Sequence, residues 1–166
     1  MDKPWLIEST QVNWEAHGLK CTLRRGPFGS WCGYVAVPKE HVLHGKTYSE
    51  LVKVSDKILN RNIDIDKVGV INLFCAAASS DVRKERLLEL VLAVDVHGGL
   101  TYSDKRCPRN EPDGSWWFGF DAGHAGDYSP KLSFHLDNEV YRTEEYMIEE
   151  CENLAKQLAQ WGKEDA

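Results

Sequence analysis

The sequence predicts a single α+β domain: a mainly antiparallel sheet with helices packed on it, the last a long C-terminal amphipathic helix. Three observations carry this. Short runs rich in aromatic and β-branched residues, separated by turn residues, fill the first third and recur near residue 116. The last quarter changes period, with Met147, Cys151, Leu154, Leu158 and Trp161 spaced as one helical stripe. The chain has 166 residues, 42% hydrophobic and 28% charged, which suits one core and one domain, 1–166. No internal repeat, low-complexity tract or linker divides it.

Val12 to His17 and Leu19 to Arg25 flank His17-Gly18, a tight turn, and read as a hairpin. Leu19, Cys21 and Leu23 alternate with Lys20, Thr22 and Arg24, so one face can be buried. Gly26-Pro27-Phe28-Gly29 is a turn, and Trp31 to Val37 follows as a strand that Pro38 ends. His41 to Lys46 reads as loop. Thr47-Tyr48-Ser49-Glu50 has the form of a capping box, and Leu51, Val52, Val54, Ile58 and Leu59 predict a helix to about Asn60.

Val68 to Ala78 is either a buried strand or a short buried helix; its length does not decide between them. Ser79-Ser80-Asp81 is a helix start, and Val82, Leu87, Leu88 and Leu90 fit a short helix behind it. Leu90 to Val96 reads as a strand broken by Gly98-Gly99, with β pairing resumed from Leu100 to Ser103. Asp104 to Gly114 is loop, Ser115 to Asp121 a strand, and Ala122 to Tyr128 a glycine-containing loop. Thr143 caps the final helix, Glu144 and Glu145 favour its first turn, and Gly162 stops it.

Composition excludes several classes. A net charge of −6 argues against a duplex nucleic-acid partner, which calls for a basic excess. No apolar run reaches the roughly 18–20 residues that span a bilayer. The start of the chain lacks the charged and apolar regions of an export signal. The five cysteines, Cys21, Cys32, Cys75, Cys107 and Cys151, are odd in number and form no CxxC pair. Free thiols in a reducing cytoplasm are therefore expected, with no membrane partner and no cofactor.

Two segments carry candidate chemistry. In Asp95-Val96-His97-Gly98-Gly99-Leu100-Thr101-Tyr102 a strand end meets two glycines, which take positive φ readily and can offer backbone N–H groups to an anion. In Trp116 to Asp127, alternation puts Trp116, Phe118 and Phe120 on one face and Trp117, Gly119 and Asp121 on the other. Trp117 then offers a stacking surface beside a glycine gap. Lys20, Arg24 and Arg25 on one strand, and Lys105, Arg106 and Arg109 in the long loop, are cations that could meet phosphate. His97, Asp121, His124 and Asp127 are alternatively a metal-ligand set, although no known ligand spacing is matched. No GxSxG elbow or known cysteine context supports a nucleophile.

These motifs also look like something known. The runs Cys32 to Pro38, His41, His44-Gly45-Lys46, Asp95 to Thr101, Trp116 to Asp121 with His124-Ala125-Gly126-Asp127, and Tyr141-Arg142 before a long helix resemble a family of small proteins carried by tailed bacteriophages and prophages. The resemblance covers most of the chain. Residues 55 to 90 read as an insertion relative to shorter members, and Ala122 stands where the pattern has cysteine.

The resemblance implies a phage accessory protein working in the host bacterial cytoplasm. Such proteins often counter host defence, some by sequestering nucleotide immune signals such as cyclic dinucleotides without cleaving them. On this reading the ligand is a small anionic nucleotide. Trp117 stacks a base, and the Gly98-Gly99 backbone meets phosphate. Arg24, Arg25 or Arg106 neutralises charge, and His97, Thr101, Asp121 and His124 make polar contacts. A homo-oligomer through the C-terminal helix is compatible with it. A metal-dependent hydrolase built on His97, Asp121, His124 and Asp127, and an inhibitor of a host protein using the aromatic patch, stand as alternatives.

Overall fold

The computed structural model describes residues 3–61 and 87–161. Its strands are β1 (Gln11–Ala16), β2 (Leu19–Arg25), β3 (Trp31–Val37), β4 (Leu51–Lys53), β5 (Leu87–Glu89), β6 (Tyr102–Asp104) and β7 (Trp116–Asp121). Its α-helices are α1 (Asp56–Arg61), the single turn α2 (Leu90–Ala93) and α3 (Glu144–Ala159). The main sheet is antiparallel with strand order β1-β2-β3-β7-β6, and β4 pairs with β5 in a second, two-stranded sheet. The α+β class follows.

The β1–β2 hairpin closes as expected: His17 and Gly18 both take positive φ, 53° and 80°, which a tight two-residue turn requires. Register then sorts the side chains. Cys21, Val35 and Phe118 fall in one row and Leu23, Gly33 and Phe120 in the next, all on the face that α3 covers. From α3 come Met147, Cys151, Leu154 and Leu158, each fully buried. Burying side chains of this kind is worth roughly 1.5–3 kcal/mol each, against about 1 kcal/mol for an N-cap. The cap is nevertheless formed, with the Tyr146 N–H donating to Thr143 Oγ1 at 3.1 Å. Packing holds the helix and the cap sets where it starts.

The opposite face of the sheet is covered by chain rather than helix. The loop after β6 lays Cys107 against Ala36 and Trp117, with Tyr34 and Tyr102 beside them. Arg24 donates from Nη1 to the Pro108 carbonyl and so ties the loop down.

Two expected elements differ. The Thr47–Glu50 contact forms, with the Thr47 N–H donating to Glu50 Oε1 at 3.1 Å. It closes a turn, not a helix, because Leu51–Lys53 are drawn into pairing with Leu87–Glu89. The helix starts at Asp56 instead, where Ser55 Oγ accepts the Ile58 N–H. Leu87 and Leu88 are thus strand residues. Leu90 to Val96 is not a strand: Leu90 N–H and Val91 N–H bond to the Glu50 and Tyr48 carbonyls, and the chain coils for one turn that buries Leu90 and Ala93. Tertiary pairing overrides the helical spacing in the first place and the β-branched composition in the second.

The chain leaves at β4 and returns beside it at β5, which brackets most of the stretch expected to be an insertion. Val68 to Ala78, the Ser79-Ser80-Asp81 helix start, Val82, Cys75 and Gly162 lie outside the described residues. The described cysteines, Cys21, Cys32, Cys107 and Cys151, are free thiols. Among the described residues no helix is long and apolar enough to cross a membrane.

Candidate functional site

The site is assembled around one end of α3. A polar stripe on that helix, Tyr146, Glu150, Asn153 and Gln157, grips the segment between α2 and β6. Gln157 Oε1 accepts the Asp95 N–H at 2.9 Å, and Asn153 and Gln157 both donate to the Asp95 carbonyl. Glu150 Oε1 accepts the His97 N–H at 2.8 Å. The spacing of these residues places them on one side of the helix, next to the buried apolar stripe.

His97 is held at both ring nitrogens. Nε2 lies 2.9 and 3.0 Å from the two Asp127 oxygens, and Nδ1 lies 2.8 Å from Tyr146 Oη. An ionised carboxylate only accepts, so Nε2 carries a proton and donates to Asp127, while Nδ1 shares its hydrogen bond with the tyrosine hydroxyl. Asp127 also accepts from Arg142 Nε at 2.8 Å and from the His124 N–H at 3.1 Å. Burial by itself would raise the Asp127 carboxyl, but the bonds from Arg142, His97 and the His124 amide outweigh it and hold it below the ordinary carboxylate range. One buried carboxylate thus joins the glycine loop, the loop after β7 and the start of α3.

Beside this frame lies an exposed ledge. Gly98 and Gly99 take φ of 71° and 79°, the left-handed conformation expected of them. At Gly98 the absence of a side chain is required twice over: a Cβ there would sit 2.4 Å from His124 Cδ2. Thr101 Oγ1 donates to Asp121 Oδ2 at 3.0 Å, and Asp121 Oδ1 accepts the Gly123 N–H at 2.9 Å. His124 Nε2 stands 3.3 Å from the same Asp121 Oδ1, and the two side chains are 37% and 31% exposed.

The structure brings together His97, Gly98, Gly99, Thr101, Asp121, His124 and Asp127 from the two candidate segments. It does not bring the aromatic and basic candidates to them. Trp117 is 6% exposed and packs under the Cys107 loop on the far face, because β7 alternation that sends Phe118 and Phe120 to the helix sends Trp117 to that cover. Phe118 and Phe120 lie in the core and Trp116 is half-buried against it, so Trp117 offers no stacking platform. Arg24 is buried on the Pro108 carbonyl. Arg25 lies 3.7 Å over the Trp31 ring and bonds to Glu8, Gly29 and Tyr141. Arg106 is an exposed loop residue whose carbonyl accepts from Tyr102.

The Gly99 N–H is committed to the Val96 carbonyl at 2.9 Å, so the two glycines do not offer a pair of donors to phosphate. The metal-ligand set resolves into two separate pairs, His97 with Asp127 and His124 with Asp121. Among the described residues no group of three or more His, Cys, Asp or Glu side chains is arranged to hold a metal ion.

Arg142, Tyr146 and Glu150 are site residues that sequence reasoning passed over. Arg142 had a readable signal. A cation immediately before a helix N-cap opposes the helix dipole, so it calls for a nearby carboxylate. Tyr146 and Glu150 had the weaker signal of polar residues at four-residue spacing beside the apolar stripe. No family model, curated protein or solved structure matches this chain.

Proposed function

We propose that this chain binds a small anionic nucleotide at the ledge of Gly98, Thr101, Asp121 and His124 and holds it without cleaving it. With the phage resemblance, such a protein would sequester a host nucleotide signal. One observation carries the reading: segments far apart in the chain, each part of that resemblance, converge on Asp127, and the frame they build has its polar groups already engaged. His97 has both ring nitrogens in use, and Asp127 accepts from His97, His124 and Arg142. A frame of this kind favours fixed positioning over proton transfer, since a general base must reach a substrate proton.

The ledge supplies the recognition. The partly exposed Asp121 carboxylate suits ribose hydroxyls or an exocyclic amine, and Thr101 adds a hydroxyl. Positive charge for phosphate comes from Arg142, whose side chain is 27% exposed. Trp117 has no part in it, and neither do Arg24, Arg25 or Arg106.

The test is a thermal-shift screen against cyclic di- and trinucleotides, mononucleotides and ADP-ribose derivatives, with each hit recovered after denaturation and run on HPLC. A nucleotide that raises the melting temperature and returns intact supports the proposal. Its affinity should fall about tenfold in Asp121→Asn, the effect of losing a hydrogen bond to a charged group. A ligand returned as product makes the chain an enzyme. No shift with any nucleotide rejects the reading and leaves inhibition of a protein partner in front.

A further inference from the structure

The main sheet ends at β1, and among the described residues no strand pairs with its outer side. The hairpin closes on Ala16 and Leu19. In a two-residue hairpin the closing pair is hydrogen-bonded, and the alternation that follows points the backbone groups of Ala16, Trp14 and Val12 at β2. Those of Gln11, Asn13 and Glu15 therefore face the open edge. The same three residues are exposed, whereas Val12, Trp14 and Ala16 lie partly buried against the core. An edge of six residues without proline or bulge is a template for another strand.

We infer that this edge takes a second copy of the chain, β1 against β1 about a two-fold axis at Asn13, giving one continuous sheet through the dimer. The strand is self-complementary in this register. Asn13 faces Asn13 of the second copy, and Gln11 faces its Glu15, so all three outward residues of each strand are paired. On the helix side Val12 comes to lie opposite the second copy's Trp14, which is anchored to Glu152 of α3 by its indole N–H at 3.1 Å. Neighbouring registers are poorer. Centring on Trp14 leaves Gln11 without a partner in the strand, and centring on Glu15 sets two carboxylates face to face. The apolar stripe of the C-terminal helix, the other expected oligomer contact, is buried in the core of its own chain.

Light scattering coupled to size exclusion, on the full chain over a range of concentrations, tests this. The expected result is a concentration-dependent species of about twice 18.9 kDa. Asn13→Pro removes the central outward N–H at an edge position where proline is tolerated, and should leave a folded monomer. Gln11→Lys, placed opposite Glu15, should tighten the dimer roughly threefold, and Gln11→Glu should weaken it by a similar factor. A monomer at every concentration overturns the inference. So does a dimer that Asn13→Pro leaves intact, or one that both Gln11 substitutions shift in the same direction.

Discussion

Two carboxylates fasten the start of α3, and they are built alike. Asp127 accepts from Arg142, His97 and the His124 amide. Glu8 accepts from Tyr141 at 2.5 Å, Arg25 at 3.2 Å, the Trp31 indole at 3.4 Å and, through its other oxygen, the Glu144 N–H at 2.8 Å. Burial opposes ionisation at both, and hydrogen bonds outweigh it at both, so each carboxyl is held low. What differs is the company. Glu8 lies in the N-terminal segment, its partners come from β2, β3 and the start of α3 with Tyr141 just before it, and the cluster closes on itself. Asp127 stands beside two positive-φ glycines and a half-buried histidine–aspartate pair. A buried carboxylate with good donors is by itself a fastening; it becomes part of a site where the segments it fastens also present polar groups to solvent.

Removing each carboxylate should separate these roles. Asp127→Ala strands Arg142 and His97 together and should cost about 3 kcal/mol, as expected when one partner of a buried ion pair is lost. Nucleotide binding should vanish with it, since His124 and the glycine loop lose their anchor. Glu8→Ala should cost about 2 kcal/mol by loss of charge-assisted hydrogen bonds, read by chemical denaturation, while nucleotide affinity stays at the wild-type value. Equal losses of affinity in the two variants would erase the distinction.

A finer break is Gly98→Ala. The substituted residue would hold a φ near 71° that an L side chain adopts at a cost of about 1 kcal/mol, and its Cβ would meet the His124 ring at 2.4 Å. The ring must move. Stability should drop by about 1–2 kcal/mol, the His124 ring protons should shift in the NMR spectrum, and nucleotide affinity should fall, with no effect at the Glu8 cluster.

Acid should act on both fastenings. A carboxyl whose folded pKa lies below its unfolded value stabilises the fold above the unfolded value and loses that contribution as pH falls through the folded one. The ordinary values are 4.5 for Glu8 and 3.8 for Asp127, so stability should decline as pH drops below about 4.5. Denaturation midpoints measured from pH 7 downward should fall less steeply in Asp127→Asn than in wild type. An unchanged slope would mean that the Asp127 bonds do not survive in solution.

What was legible in the sequence followed local periodicity. The first hairpin, β3, β7 and α3 announce themselves through alternation, a two-residue turn and a helical apolar stripe, and all four form. The elements misread, Leu51 to Lys53 and Leu90 to Ala93, depend on partners elsewhere: one pairs with Leu87–Glu89, and the other hangs from the Tyr48 and Glu50 carbonyls. The site divides the same way. His97, the glycines, Asp121, His124 and Asp127 sit on short motifs and do come together. Trp117 was misjudged because alternation tells which side of a strand a residue takes, not what covers that side. Arg142 and Glu150 were missed because their meaning lies in the charge and the loop they face across the fold.

The smallest expected effect is the sharpest check on that division. Arg106 is exposed in the long loop, where its backbone carbonyl accepts the Tyr102 hydroxyl and its charge acts on the same tyrosine. Arg106→Ala keeps that carbonyl, so stability should change by less than about 0.5 kcal/mol. An electrostatic role for the loop cations would show itself differently, as a loss of nucleotide affinity that deepens at low ionic strength, where unscreened charges act over longer distances. Calorimetric titration of the variant at two salt concentrations should give the wild-type affinity at both. A salt-dependent loss would mean that the ligand extends across the end of the sheet to the loop-covered face, and the site would then have to include the cover of Trp117 as well as the ledge beside Asp127.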